Sequence, residues 1–229
     1  MTNLGKYNEG ELCGEYLKLP ATKEDVKDLL SRIGIDGILY EEIFITDYET
    51  DIDGLHRCLG EYECIDELNY LAAMLSDLNS YEHEKFGAAA SFDDYRGNLQ
   101  GLINLAQNLD CYEFYPDVRD EEDLGRYLIE ELRCVEIPEW MERYFDYETY
   151  GRDFSINEGG DFVGGNYISR NDTKFTEYYM GRHIPDDYRI FAYPDKPVKM
   201  PIREQLEMFD KMVSETITAD KPSPVRDER

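Results

Sequence analysis

The chain has 229 residues, 41% of them hydrophobic and 13% aromatic, which is enough for one to three domains with a sizeable core and too apolar for a disordered acidic tail. Its 51 acidic side chains against 24 basic ones give a formal net charge of −27, and a folded body that keeps so much self-repelling charge either uses it or lives in high salt. No stretch approaches the roughly 18 uncharged apolar residues of a membrane-spanning helix, no basic-then-apolar leader opens the chain, and the five scattered cysteines (Cys13, Cys58, Cys64, Cys111, Cys134) fit reduced thiols in a cytoplasmic protein.

Along the chain, residues 11–18 predict a strand. Thr22 followed by Asp25 has the spacing of a capping box and starts a helix that Gly34 is placed to end. Residues 41–48 alternate as a strand, with Ile43 and Ile45 on one face and Phe44 on the other. Ile65, Leu68, Ala72 and Leu75 share one face of a helix over 64–78, and Leu99, Leu102, Ile103 and Ala106 mark another over 98–107. A strand is expected at 111–115. Asp120 should cap the next helix, with Leu124, Leu128 and Leu132 turned inward. Residues 138–150 read as helix and 161–168 as a closing strand in which Gly164-Gly165 makes a bulge or bend. A short helix over 202–214 and a disordered end complete the series, since Pro194, Pro197, Pro201, Pro222 and Pro224 crowd the last stretch. The fold class is therefore α+β: small α+β modules with a helical segment between them.

Charge divides the chain more sharply than hydrophobicity. Residues 1–169 hold 39 acids and 13 bases, a net of −26, whereas 170–229 are nearly neutral at −1. Halophilic adaptation would spread acids throughout, so it fits poorly. The acids recur in clusters: Glu41, Glu42, Asp47, Glu49, Asp51 and Asp53; Glu61, Glu63, Asp66 and Glu67; Asp120, Glu121, Glu122 and Asp123; Glu130 and Glu131; Glu136, Glu139 and Glu142; Asp146 and Glu148. A single cluster is explained by a solvated face or by a helix N-terminus that favours negative charge. Persistence over about 150 residues with few bases is not. Duplex DNA carries one charge per roughly 1.7 Å of axis, so this excess matches on the order of 45 Å of duplex, and a dimer about 90 Å.

Motifs for chemistry are lacking. Glu49-Thr50-Asp51-Ile52-Asp53-Gly54 imitates half of a calcium loop, but the first position is Glu and the twelfth is Gly60 rather than a bidentate Glu. His56, Cys58 and Cys64 lie close together without the second ligand pair of a zinc site, and His83 and His183 are isolated. No glycine-rich loop precedes Lys-Ser or Lys-Thr, and no serine sits in a nucleophile elbow. No enzyme, metal site or cofactor is expected. An acidic glycosidase pair, a calcium-dependent scaffold, and an acidic decoy for some other basic DNA-binding protein are the alternatives.

The blocks YNEGELCGEY (7–16), EEIFITDYE (41–49), IDELNYLAAML (65–75), NLDCYEFYPDV (108–118) and IPEWMERYFDYETYGRDF (137–154) resemble, in order, the ArdA-type antirestriction proteins of plasmids and conjugative transposons. The resemblance implies an elongated chain of three modules, α+β at 1–62, helical at 63–110 and α+β at 111–169, with the third carrying a homodimer interface. It also implies that eighteen of the acids named above, all but Glu136, Glu139 and Glu142, stand in for DNA phosphates against the methyltransferase core of a type I restriction–modification enzyme, sparing incoming unmodified DNA of a mobile element, with no nucleic acid or membrane bound. Similar proteins usually carry a few more residues completing a first strand, so two readings are open: that strand is shortened here, or the natural start lies upstream of Met1. The segment 170–229 lies beyond the family's minimal core, and both a packed accessory element and a tether are open for it.

Overall fold

The computed structural model describes residues 1–195; the helix expected at 202–214 and the end of the chain lie outside them. The first elements are brief. Strand β1 (Thr2–Asn3) pairs antiparallel with β2 (Ile43–Phe44), Thr2 opposite Phe44 and Asn3 opposite Ile43. The expected strand at 11–18 reduces to one bridge between Gly14 and Thr2, flanked by the bonds Asn3 N–H to Cys13 C=O and Glu15 N–H to Met1 C=O. A partner of two residues limits how far either neighbour can pair, and this also shortens the expected 41–48 strand. Asn3, fully buried, ties the region together: its Oδ1 caps helix α1 (Leu4–Asn8) by accepting from Lys6 N, and its Nδ2 donates to Ile33 C=O at 3.1 Å.

Helix α2 (Lys23–Arg32) forms as its capping box dictates, with Thr22 and Asp25 bonded reciprocally and Gly34 at φ +80° just beyond its end. It buries Val26, Leu29 and Leu30. Helices α3 (Ile65–Ser76) and α5 (Leu99–Ala106) fall where the apolar spacing put them. Between them lies α4 (Ser80–Phe92), which the periodicity does not reveal: Phe86 to Ala90 are all buried in succession, so the helix has no single apolar face. Its legible signal is the capping box of Asn79 and Glu82. Gly87 sits mid-helix because a Cβ there would meet the Asp53 carbonyl oxygen at 2.6 Å.

Strand β3 (Tyr112–Tyr115) leads to α6 (Glu121–Arg126), capped by Asp120 as expected. A π-turn over Tyr127–Glu131 then adds a residue to the helical repeat. Leu124 and Leu128 face inward, but the shifted register leaves Leu132 45% exposed, against expectation. The helix expected at 138–150 is divided into α7 (Glu139–Glu142) and α8 (Tyr147–Glu158), because Asp146 starts a new helix by capping Thr149 N. The expected 161–168 strand is in fact a hairpin. Strands β4 (Asp161–Val163) and β5 (Asn166–Arg170) pair antiparallel across Gly164-Gly165, at φ +59° and +83°, which supply the two positive-φ positions of a tight turn. The sheet order is β3-β5-β4.

Two apolar cores result. The larger runs from α2 through α3, α4 and α5 to Tyr112, Phe114 and Ile168. The smaller gathers Val118, Leu124, Leu128 and Tyr167, ringed by Tyr115, Tyr127, Tyr150, Phe154 and Phe162. An anchor clamps the sheet to the end of α4: Arg170 donates to both Asp93 oxygens, at 3.1 Å (Nε to Oδ2) and 3.3 Å (Nε to Oδ1) and at 2.7 Å (Nη2 to Oδ2), and Tyr112 Oη also donates to Asp93.

Residues 171–191 form a packed strap on α3 and α5. Asn104 and Asn108, both buried, pair their side-chain amides with the strap backbone as a neighbouring strand would: Tyr179 N–H and C=O bond Asn104 at 2.8 Å each, and Thr176 N–H and C=O bond Asn108 at 2.9 Å each. Asn69 donates to Tyr188 C=O, Tyr70 packs against the rings of Tyr179 and Tyr188, and Tyr179 and Ile190 enter the larger core. Of the two roles open for the start of this extension, 171–191 takes that of a packed accessory element.

Candidate partner-binding surface

Thirteen of the eighteen nominated carboxylates are exposed: Glu41, Glu42, Asp47, Glu49, Asp51, Asp53, Glu61, Asp120, Glu122, Glu130, Glu131, Asp146 and Glu148. Glu63, Asp66, Glu67, Glu121 and Asp123 are half-buried. The difference follows from local structure. Glu63 Oε1 accepts from Gly60 N at 2.9 Å, closing the turn before α3. Asp66 Oδ1 accepts from the backbone N–H of Ile190 and Phe191, and Glu67 Oε1 accepts from Tyr179 Oη at 2.5 Å, so these two acids in the first turn of α3 anchor the strap.

Several exposed acids are held in place by their own chain. Asp47 accepts from Tyr16 Oη at 2.7 Å and from Tyr48 N, which holds its carboxyl below the usual carboxylate range. Asp146 accepts from the backbone N–H and hydroxyl of Thr149, with the same effect. Asp120 accepts from Asp123 N at 2.9 Å. Asp47 and Asp146 therefore stay ionised to lower pH than free carboxylates, because each bond favours the charged form.

Compensating bases are few and shared. Arg126 lies between Glu122, at 2.8 Å, and Glu130, at 3.4 Å, one cation for two anions, and stacks on the Tyr147 ring at 4.5 Å. Around it Glu122, Glu130, Glu142, Asp146 and Glu148 line one shallow cleft with Arg126 and Arg143. The structure thus brings together acids that lie in four separate places along the chain. It places Asp47, Glu49 and Asp51 instead at the rim of a mostly apolar groove floored by Leu17, Ile45, Leu68 and Leu71.

Sequence clusters missed acids that stand singly, such as Glu9, which accepts from Tyr40 Oη, and Glu113, which accepts from Asn171 Nδ2. They also missed exposed aromatics. Among the described residues no three His, Cys, Asp or Glu side chains converge to hold a metal ion, and no helix is long and apolar enough to cross a membrane.

A family model described as "Antirestriction protein (ArdA)" matches residues 1–169. No curated protein matches the chain.

Proposed function

The chain belongs to the ArdA antirestriction protein family, and on that premise we propose that it is a decoy for DNA, presenting carboxylates where a duplex presents phosphates and so occupying the DNA-binding cleft of a type I restriction–modification enzyme. The observation that carries the proposal is the exposure of thirteen of the nominated acids, from Glu41 to Glu148, on a 169-residue stretch of net charge −26. A basic cleft is steered toward such a surface by long-range field, and arginine and lysine then bond carboxylates through charge-assisted contacts. Asp66 and Glu67, engaged by the strap, contribute to its field more than to direct contact. The reading is inhibitory and requires no catalysis or cofactor. It retains the division into modules at 1–62, 63–110 and 111–169 and a cytoplasmic location, with incoming DNA of a mobile element as what is spared.

Dimerisation through the third module belongs to the same proposal. Leu132, Val135, Trp140, Met141 and Tyr144 lie exposed within thirteen residues of chain, Trp140 by 63% and Tyr144 by 72%, and so large a run of apolar side chains marks an association surface. Trp140→Glu is expected to shift the protein to a monomer in analytical ultracentrifugation while its far-UV circular dichroism stays that of the parent, since Trp140, 63% exposed, packs little within its own chain. A variant that sediments as the parent does would place the contact elsewhere.

The decoy itself is tested by displacement. Labelled unmodified duplex is bound to a purified type I methyltransferase core, and this protein is titrated in. Glu49→Gln alone should change the amount needed by less than about twofold, as for one contact among many. Reversing Glu41, Glu42, Glu49 and Asp51 together to lysine should raise it more than tenfold and flatten the salt dependence. A single Glu→Ala that abolished displacement would contradict a distributed surface. Equal displacement of duplex from unrelated DNA-binding proteins would favour a general acidic decoy instead.

A further inference from the structure

Three separate pieces of chain meet at the first module to expose a short row of aromatic rings. Tyr7, on α1, lies edge-to-face on Phe44 with ring centroids 5.2 Å apart, and Phe44, on β2, is followed at 6.5 Å by Tyr62. Phe44 is buried beneath the row, while Tyr7 is 52% and Tyr62 70% exposed. Two exposed acids adjoin it along the chain: Glu42, two residues before Phe44, and Glu61, next to Tyr62. The Glu61 carbonyl accepts from Ile45 N at 2.7 Å and so fixes the loop beside β2. Lys6 sets its ammonium over the Tyr40 ring, 6.0 Å from the centroid. Covering Phe44 would be done as well by aliphatic side chains, and a purely electrostatic decoy needs only charge, so two largely exposed tyrosines at this place call for a further role.

We infer that the Tyr7–Phe44–Tyr62 row, adjoined along the chain by Glu42 and Glu61, is a guanidinium-reading patch that takes an arginine, rather than a lysine, of the partner's DNA-binding surface. The inference rests on the acidic-decoy proposal and adds the partner chemistry at one place on it. A guanidinium is planar and weakly hydrated, so it can lie on a ring while its N–H groups fork onto a carboxylate; an ammonium is compact and keeps its water. Charge complementarity fixes the occupant as cationic, and the exposed ring faces select the flat cation.

The test uses the full chain with octa-arginine and octa-lysine, peptides of equal charge, at low and matched ionic strength. One or two cation–π contacts at about 0.5–1 kcal/mol each correspond to roughly two- to thirtyfold in affinity. The double variant Tyr7→Leu/Tyr62→Leu should therefore weaken octa-arginine by about that factor and leave octa-lysine unchanged, while Tyr7→Phe/Tyr62→Phe binds both as the parent does. Ring resonances of Tyr62 in the parent should move with octa-arginine and not with octa-lysine; this holds even if the leucine variant folds poorly. Equal loss on both peptides, or rings that do not respond, would overturn the patch while leaving the decoy standing. Failure of both peptides to bind the parent would overturn both.

Discussion

Gly151→Ala is expected to lower stability by about 3 kcal/mol or more, at the upper end of overpacking substitutions. Helices α6 and α8 cross with Gly125 and Gly151 at their closest approach, both buried. A Cβ on Gly151 would stand 1.9 Å from the Glu121 carbonyl oxygen and 2.7 Å from Gly125 N; one on Gly125 would stand 2.0 Å from the Tyr147 carbonyl oxygen. These are backbone atoms within helices, so neither can turn aside as a side chain would. In an open helix the same change would gain about 1 kcal/mol from propensity, which makes the sign of the effect diagnostic. Urea unfolding measures it: a midpoint shifted down supports the close crossing, and one shifted up would mean that the two helices stand further apart. The smaller core of Leu124, Leu128 and Tyr167 depends on this crossing.

Asn104→Leu should cost about 2–4 kcal/mol, because it removes a buried amide while leaving its partners in place. Leucine has nearly the right volume, yet it strands Tyr179 N–H and C=O, and an unsatisfied buried backbone group costs about 1–3 kcal/mol. The loss should be local before it is global. Hydrogen exchange is expected to lose protection at Thr176 and Tyr179 while the β3–β5 amides at Glu113 and Ser169 keep theirs. Unchanged protection at Tyr179, with stability within about 0.5 kcal/mol of the parent, would show that the strap is held by its apolar contacts alone. The matched family region stops at residue 169, and the amides that grip the strap, Asn69, Asn104 and Asn108, lie within it. The additional segment is therefore read by polar groups already built into the family region.

The sequence made the strong local signals legible. The Thr22/Asp25 capping box, the apolar faces of α3 and α5, and the Asp120 cap all appear where the residues put them. Helix α4 escaped because burial on all sides erases the 3.6-residue period, although its Asn79/Glu82 box was there to be read. Leu132 was misplaced because a π-turn changes the helical phase without a residue signature. Gly164-Gly165 looked like an interruption of one strand, whereas a pair of glycines between two short apolar runs is also what a two-residue hairpin requires. The acids were legible as charge but not as individuals. Sequence cannot show that Asp66 and Glu67 turn toward residues more than a hundred positions away, or that Glu122, Glu130, Asp146 and Glu148 meet in one cleft.

The most direct test of the decoy is protection against cleavage. A purified type I restriction enzyme is given unmodified DNA and ATP, and this protein is titrated in at two salt concentrations, with a simple type II endonuclease as control. Protection near stoichiometric amounts, weakening as salt rises and absent for the type II enzyme, is the predicted result. Cleavage that proceeds unchanged at large excess of the protein at low salt would contradict the account.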